Sequence, residues 1–571
     1  MTKPTVIDFF CGAGGFSEGF RQQGFEIVAG IDVWKPAIDT FNYNFGLKCK
    51  ARNALAFETS IHRIEALPDT DVIIGSPPCV SFSSSNKSGK ADKSLGLKLT
   101  KIFLRVIAVK KHKRNSKLKA WFMENVINST SHLRKQYSFK QLGLKKWALK
   151  QGLNPHAIAI TLQRNRSVIN SADYGVPQSR PRVFTGEIIR KRKHVIPERT
   201  HRAPHEDSSL PTHIPLGHVR LYLPKPNSKK SKKTVSDPLY PNIRIKQAEL
   251  IDQFYDTGLY ACDWKGSRFL KTNHPYMGPM SFPEREDRPS RTVTATKIGN
   301  SRESIIFRSE RARKADGRYR TATIREAATL MGFPITFQFL GSEGNKWRLV
   351  GNAVCPPVGR AFARVVRHQY GFSNIIKPRV TTKVGAIGNV TNLNTFKPKR
   401  FGDPPRRNKG SRFRRHPFKH GNLTVTLSNY DIRRNGKNRG KWKTSIQYGT
   451  GKGFPIQTFS DGYFRKLKPI ILKFQGGPRF INTINNGFCK KIAKSHLLQE
   501  MYETQRSKGR YIEPVELVDQ IAQLINTIEM KEPNFDQNGK RMFKKKSIPK
   551  KQVMALYAMN RICSIANGEK R

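Results

Sequence analysis

Short apolar runs that end in a polar or acidic residue recur along the first quarter of the chain. Residues 5–10 (TVIDFF) read as a buried strand and lead directly into CGAGGFSEGF, a glycine-rich turn opening a helix. Residues 26–32 (EIVAGID) form a second candidate strand, and it ends in an acid. A third, 71–75 (DVIIG), runs into SPPC, and a fourth, 120–124 (AWFME), also ends in an acid. Strands alternating with helical stretches predict an α/β fold with a doubly wound, mostly parallel sheet, Rossmann-like in kind. Ligands of such sheets bind outside the carboxyl ends of the strands. All four polar signals fall at those ends.

The pattern then changes. From about 190 to 285, Pro, His, Ser and Lys become frequent, and KPNSKKSKKTVSDP reads as a solvated or disordered stretch. Periodicity returns near Arg291 (RTVTAT) and continues through TIREAATLMGF, which predicts an amphipathic helix. Beyond about 375, strand-like runs (LTVTL, KWKTSIQYG, PIILKF) precede helical patterns at about 489–505 and 514–529. The expected division is 1–190 and 288–372 for a catalytic core, 191–287 for a smaller inserted domain, and 373–571 for a basic C-terminal extension, whose charge suits DNA backbone binding or equally an accessory module of another function.

Charge narrows the function. The chain carries 105 Lys and Arg against 41 Asp and Glu, a net charge of +64. That says nothing of fold, but it predicts attraction to polyanions, nucleic acid foremost. Residues 371–571 alone hold 42 Lys and Arg against 12 Asp and Glu. The seven cysteines are scattered and make no CxxC pair, which suggests neither a zinc site nor a disulfide framework and fits a reducing, cytoplasmic setting. MTKPTVIDFF lacks the apolar stretch of a signal peptide, and no run of about 18 apolar residues predicts a membrane span. His201, His205, His213 and His218 show no metal-ligand spacing and read as surface residues; no metal is expected.

Gly12, Gly14 and Gly15 would let a cofactor approach the backbone closely at a helix N-terminus, or simply form a tight strand-to-helix turn. Asp32 can bind the two hydroxyls of a ribose or cap a helix. In GSPPCVSFS two prolines stiffen the turn that holds Cys79, and a thiol at a strand-to-helix corner gains access to partial positive charge that favours thiolate. Glu124, in MENV, can face the same cleft and, if burial raises its pKa, act as a proton donor. A nucleophilic thiol beside a general acid makes covalent catalysis plausible.

Together these pieces resemble the DNA cytosine-C5 methyltransferase family over roughly residues 5–370. DFFCGAGGF (8–16) is similar to its first cofactor motif and Asp32 to its ribose-binding acid. Ser76-Pro77-Pro78-Cys79 resembles the nucleophile motif, with Phe82 and Ser83 completing it, and Glu124-Asn125-Val126 the Glu-Asn-Val motif. Gln178-Ser179-Arg180-Pro181-Arg182 resembles the Gln-x-Arg-x-Arg motif. Arg288–Val293, TIREAATLMGFP and Gly351-Asn352-Ala353-Val354 resemble the closing ones. Gln163–Arg166 only mimics the arginine motif, since its second arginine follows too early. Val80 replaces the usual Gln after the nucleophile, Asn53 stands nearest the usual adenine-binding acid, and Val33 follows the ribose acid where an aromatic or apolar residue is common.

The resemblance implies S-adenosyl-L-methionine as methyl donor, held by Phe10, Gly12, Gly14, Asp32, Val33, Asn53, Pro78, Asn352 and Val354. It implies Cys79 as nucleophile, with Glu124, Arg180 and Arg182 completing the catalytic set. It implies a flipped cytosine in double-stranded DNA as substrate, a mobile loop at 81–98, and a target-recognition role for 191–287. A monomer suffices for this chemistry, and a cognate restriction endonuclease is a further expected partner. Three other readings compete: an RNA methyltransferase on the same fold, a DNA-binding protein without activity, and an endonuclease in the C-terminal region. The roughly hundred-residue insertion, the intact Cys79–Glu124–Arg180–Arg182 set, and the lack of a PD…(D/E)xK pattern weigh against them in turn.

Overall fold

The computed structural model describes the chain except residues 1–2, 79–92, 163–165, 191–195, 227–232, 254–257, 274–277, 311–315, 374, 376, 382–383, 385–402, 421–422, 430–439, 450–453, 538–541 and 569–571. It divides into two compact units. The first comprises Met1–Leu259, Gly266–Lys271 and Ser281–Arg400, and the second Tyr260–Lys265, Thr272–Met280 and Phe401–Arg571.

The predicted strands of the first unit all form. They are β1 (Thr5–Phe9), β2 (Glu26–Ile31), β3 (Val72–Gly75) and β4 (Ala120–Asn125), joined by helices α1 (Gly15–Gln22), α2 (Lys35–Phe45) and α3 (Lys93–His112). Two later strands, β5 (Arg166–Asn170) and β6 (Pro181–Ile188), complete a six-stranded sheet in the order β2-β1-β3-β4-β6-β5. The first four strands run parallel; β6 is antiparallel to β4 and to β5. Every residue of β3 and β4 is buried, as strands covered on both faces require.

Register decides the layout of the site. Phe9 pairs with both Ile31 and Gly75, and Gly75 pairs with Met123. The residues that follow these four in sequence, Phe10, Asp32, Ser76 and Glu124, therefore line one edge of the sheet. Strands of 4 to 6 residues with apolar interiors place four chemically different groups in a single row.

The closing segment folds back onto this edge. Helices α4 (Ile324–Leu330), α5 (Glu343–Asn352) and α6 (Pro356–Gln369) follow the inserted region. Thr323 and Glu326 form a capping box at the start of α4, which explains why TIREAATL is helical as its periodicity predicts. Helices α1 and α6 meet at glycines: a Cβ at Gly19 would come within 2.4 Å of the Arg360 nitrogen and the Pro356 oxygen.

Part of KPNSKKSKKTVSDP departs from the expected solvated stretch. Thr234–Ser236 is a strand paired with Arg244–Lys246. The buried Asp237 accepts hydrogen bonds from the backbone N–H groups of Leu239, Tyr240 and Ile335. Three donors offset the cost of burying one carboxylate, and hydropathy alone does not reveal them. The histidines need correction too. Only His205 is exposed. His213 Nε2 lies 2.8 Å from Asp173 Oδ1, His218 hydrogen-bonds the Pro238 oxygen at 2.8 Å, and His201 Nδ1 lies 2.9 Å from Thr200 Oγ1.

The second unit carries an antiparallel sheet of β7 (Arg414–His420), β8 (Leu423–Asn429), β9 (Trp442–Tyr448) and β10 (Ile456–Phe459), in that order. Helices α7 (Phe464–Leu472), α8 (Gly477–Asn486), α9 (Ser495–Thr504), α10 (Pro514–Asn526) and α11 (Lys550–Ala566) complete it. PIILKF, expected as a strand, belongs mostly to α7, where Phe464, Leu467 and Ile471 are buried at helical spacing. Pro469 lies inside that helix, a position unfavourable to proline. Helix α11 is buried along nearly its whole length and is tied to the sheet through Gln552 to the Leu423 oxygen and through Cys563 to Thr444.

Candidate active site at the carboxyl edge of the sheet

The loop after β1 is set by backbone geometry. Phe10 and Gly12 both take left-handed conformations, with φ of 55° and 51°. A Cβ at Gly12 would meet nothing within 4 Å, so its place in the loop follows from φ and its outer side is open. Gly14 caps α1. Gly15 is packed against the closing segment, where a Cβ would come within 2.1 Å of the Val354 oxygen. Val354 is buried and Asn352 is exposed.

Asp32 organises this loop. Its Oδ2 accepts the Gly12 N–H at 3.0 Å and its Oδ1 accepts the Trp34 N–H at 2.8 Å. Burial raises its pKa, against those backbone hydrogen bonds and the pull of Arg348. Val33 beside it is 66% exposed. Asn53 is exposed, and its Oδ1 accepts the Leu55 N–H at 3.0 Å; its neighbour Arg52 donates to the Asp32 carbonyl at 2.7 Å. An acceptor carboxylate, an open glycine edge, an exposed apolar side chain and the half-buried Phe10 are a set that fits a nucleoside with an apolar base face and a ribose diol.

At the end of β3, the Ser76 N–H bonds the Phe9 carbonyl at 3.1 Å, and Asn125 Nδ2 donates to the Pro77 carbonyl at 3.3 Å. The turn is thus tied to β1 on one side and β4 on the other. Pro78 is exposed. Cys79 and residues 81–92 of the expected loop lie outside the described residues, as do Gln163, Arg164 and Asn165, whereas residues 93–98, expected in that loop, are the first turns of α3.

Glu124 ends the row. It is 7% exposed, and its Oε1 lies 3.3 Å from Arg182 Nε. Burial pushes its carboxyl up, while Arg182, Arg180 and a hydrogen bond with Ser76 oppose the rise. The two arginines of the Gln-x-Arg-x-Arg segment differ. Arg182 reaches the carboxylate, whereas the buried Arg180 donates to the carbonyls of Val293, Gly351 and Ala353 at 3.0, 2.9 and 3.2 Å. Arg180 therefore joins β6 to the closing segment. Gln178 does similar work: it accepts the Val293 N–H at 3.1 Å and donates to the Leu330 carbonyl at 3.2 Å.

Three participants escaped the sequence reading. Asp8, within β1, accepts a hydrogen bond from Ser17 Oγ at 2.7 Å, and burial raises its carboxyl to about 8, with Asp32 adding to the rise. An acid inside an apolar strand was the available signal. Cys355 is buried, and burial pushes its thiol up to about 11. Arg348, from α5, lies 4.6 Å from the centre of the Trp34 ring, beside Asp32. More than three hundred residues separate that pair in sequence, and no local pattern announces it.

A family model described as C-5 cytosine-specific DNA methylase matches residues 4–368. The chain is 27% identical over 364 residues to the Type II methyltransferase M.HgiDI of Herpetosiphon aurantiacus, which covers 62% of this chain and 91% of the relative. It is 26% identical over 377 residues to the putative type II methyltransferase M.MJ0563P of Methanocaldococcus jannaschii, covering 64% and 99%. Among solved structures, a putative DNA modification methyltransferase encoded within an Escherichia coli prophage aligns with a TM-score of 0.38 at 19% identity, covering 65% of this chain and 99% of that one. The family match ends before β7, the first strand of the second unit.

Proposed function

The chain belongs to the C-5 cytosine-specific DNA methylases, and from that premise we propose that Cys79, Glu124, Arg180 and Arg182 carry its chemistry. The enzyme methylates C5 of cytosine in DNA, with S-adenosyl-L-methionine as methyl donor. In our reading the donor is held by Phe10, Gly12, Gly14, Asp32, Val33, Asn53, Pro78, Asn352 and Val354, with Asp32 accepting from the ribose hydroxyls. When bound, it supplies a methyl group activated on a sulfonium centre.

Cytosine C5 is a poor nucleophile. The Cys79 thiolate adds to C6, forming an S–C6 bond, and the ring's electron pair shifts until C5 is enamine-like. Glu124 supports this by giving its proton to N3 as charge builds there. Its burial favours the protonated form at the moment it is needed. Arg182 then stabilises the carboxylate left behind and binds the base oxygen, while Arg180 holds the wall of the site. Methyl transfer to C5 would leave the donor as a neutral thioether; C5 then loses its proton to solvent, N3 returns its proton to Glu124, and the S–C6 bond breaks, returning the Cys79 thiolate. The target atoms are inaccessible in a stacked duplex, so the base is flipped out.

We assign 1–190 and 288–372 to the catalytic core and 191–287 to target recognition. The enzyme acts as a monomer in the cytoplasm, on nucleoid DNA, within a restriction-modification system or alone. No helix of the described residues is long and apolar enough to cross a membrane.

The observation that carries this reading is the buried Glu124, in the row that also holds Asp32 and Ser76 and paired with the half-buried Arg182. The test uses labelled S-adenosylmethionine with DNA and tRNA side by side, followed by mapping of modified cytosines. Label in DNA at C5 is expected; label in tRNA alone overturns the substrate. A duplex with 5-fluorocytosine cannot lose its C5 substituent as a proton, so it should trap Cys79 covalently. A trapped complex that survives in C79S would remove Cys79 from its role.

A further inference from the structure

The sheet of the second unit has two unlike faces. Side chains alternate across a strand. On one side Leu423, Val425 and Leu427 of β8, with Trp442 and Ile446 of β9, join the buried core that includes α11. The residues between them make a different surface. Thr424, Thr426 and Ser428 pair across the sheet with Gln447, Ser445 and Lys443. Arg414 pairs with Ser428 from the other side, so Arg414, Ser428 and Lys443 form one row across three strands.

Cations stand over a floor of hydroxyls here. Arg414 Nη2 reaches across to Gln447 Oε1 at 3.1 Å, and His416 Nδ1 lies 2.8 Å from Thr426 Oγ1. Arg412, Arg414 and His416 are exposed and Lys443 is half-buried. Burial lowers the Lys443 pKa and the nearby Arg412 lowers it further.

Charge segregates along the second unit. Residues 401–499, which hold the sheet with helices α7 and α8, carry 22 Lys and Arg against 3 Asp and Glu, whereas 500–571 hold 14 against 9. The four strands contain no Asp or Glu at all. The next residue along β7, Arg415, is paired with Asp519 of α10, on the helical side. The hydroxyls of this face are themselves buried, and the exposed charged side chains above them among the described residues, Arg412, Arg414 and His416, are all basic. Guanidinium, ammonium and imidazole groups at strand spacing suit a run of phosphates, and among the described residues of this face no aromatic platform suits stacked single-strand bases.

We propose that this sheet face is a second DNA-binding surface, which takes the phosphate backbone of duplex DNA through Arg412, Arg414, His416 and Lys443. It rests on DNA being the enzyme's substrate and needs nothing of the methyl-transfer chemistry. It lengthens the footprint without adding sequence selectivity.

The test uses the full-length protein and a fluorescent duplex of dA·dT pairs, which contains no cytosine. R412Q/R414Q/K443Q should lower the slope of log Kd against log salt by about 2 to 3 and weaken binding about tenfold or more near 0.1 M KCl. The charge-retaining R412K/R414K/K443R should bind as the parent does. K473Q/K490Q/K494Q removes the same charge from exposed sites outside the strands and should cost much less. An unchanged slope in the first variant overturns the proposal, as do equal losses in the second or third, or tighter binding of duplex RNA than of duplex DNA. Methyl transfer to cytosine-containing DNA, measured in parallel, reports on the core alone. Its absence beside an intact slope change overturns the catalytic reading and leaves this surface standing.

Discussion

Arg182 stands 3.3 Å from Glu124, yet burial still pushes the Glu124 carboxyl above its ordinary value. The pair is therefore no simple ion pair for stability. A carboxyl whose folded pKa is raised costs stability above the unfolded value of about 4.3, because the folded state must then hold a charge it disfavours. E124Q keeps the shape, removes that cost and removes the transferable proton. We expect its rate of methyl transfer to fall about 10²–10⁴-fold, while its melting temperature at pH 8 stays at or above that of the parent. Parallel melting curves and labelled-methyl transfer check both halves. A variant that loses activity together with several degrees of melting temperature would make Glu124 a structural residue.

Asp8 gives a pH dependence of known sign. Burial holds its carboxyl at about 8 in the folded chain, against about 3.9 when unfolded. The folded state keeps the proton while the unfolded state loses it. The parent should thus lose stability steadily as pH rises from about 4 to about 8. D8N should match the parent near pH 4 and be more stable at pH 8.5, read from melting temperatures across that range. A parallel loss in D8N would place the effect on another group.

The row of β1, β2, β3 and β4 ends was legible because each strand is a short apolar run closed by one polar residue, and a parallel sheet aligns such ends. Glu124 and Asp32 were readable for that reason. The division of labour between Arg180 and Arg182 was not. They stand two residues apart at the start of β6, but Arg180 is consumed by carbonyls of the closing segment, which the chain reaches more than a hundred residues later. Trp34 and Arg348 were hidden by the same kind of distance. Asp237 was misread because the stretch around it is polar, and polarity cannot tell a solvated acid from one that accepts three backbone N–H groups. PIILKF failed for a local reason: Ile470 and Ile471 are β-branched and Pro469 disfavours a helix interior, and only packing of Phe464, Leu467 and Ile471 makes it helical.

The contact of α1 with α6 predicts a sharp steric response. At Gly19 an added methyl would meet backbone atoms of Arg360 and Pro356, which cannot swing away as a side chain would. G19A should cost about 2–4 kcal/mol and lower the melting temperature by several degrees. Gly344 offers the control: a Cβ there meets nothing within 4 Å, so G344A should leave the melting temperature nearly unchanged. Equal effects from both substitutions would mean that helix propensity, and not the close approach, sets the response.

Glu310 links the inserted region to the core and predicts the opposite pH behaviour to Asp8. It accepts from Arg220 at 2.7 Å and takes Arg320 with both oxygens at 2.7 Å, while Arg320 also binds Glu326 of α4. Burial pushes the Glu310 carboxyl up, but the two arginines outweigh it and hold it at about 2. Its folded pKa lies below the unfolded value of about 4.3, so its contribution is complete above that value and is lost as pH falls toward 2. E310Q leaves Arg320 with one carboxylate partner and weakens the hold of Arg220, which lies on the helix Leu216–Tyr222 of the inserted region. We expect a loss of about 1–3 kcal/mol at pH 7, shrinking as the parent itself weakens below pH 4. Urea unfolding at pH 7 and at pH 3 measures the difference. A loss that stays constant across that interval would show that the contribution of Glu310 is not its charge.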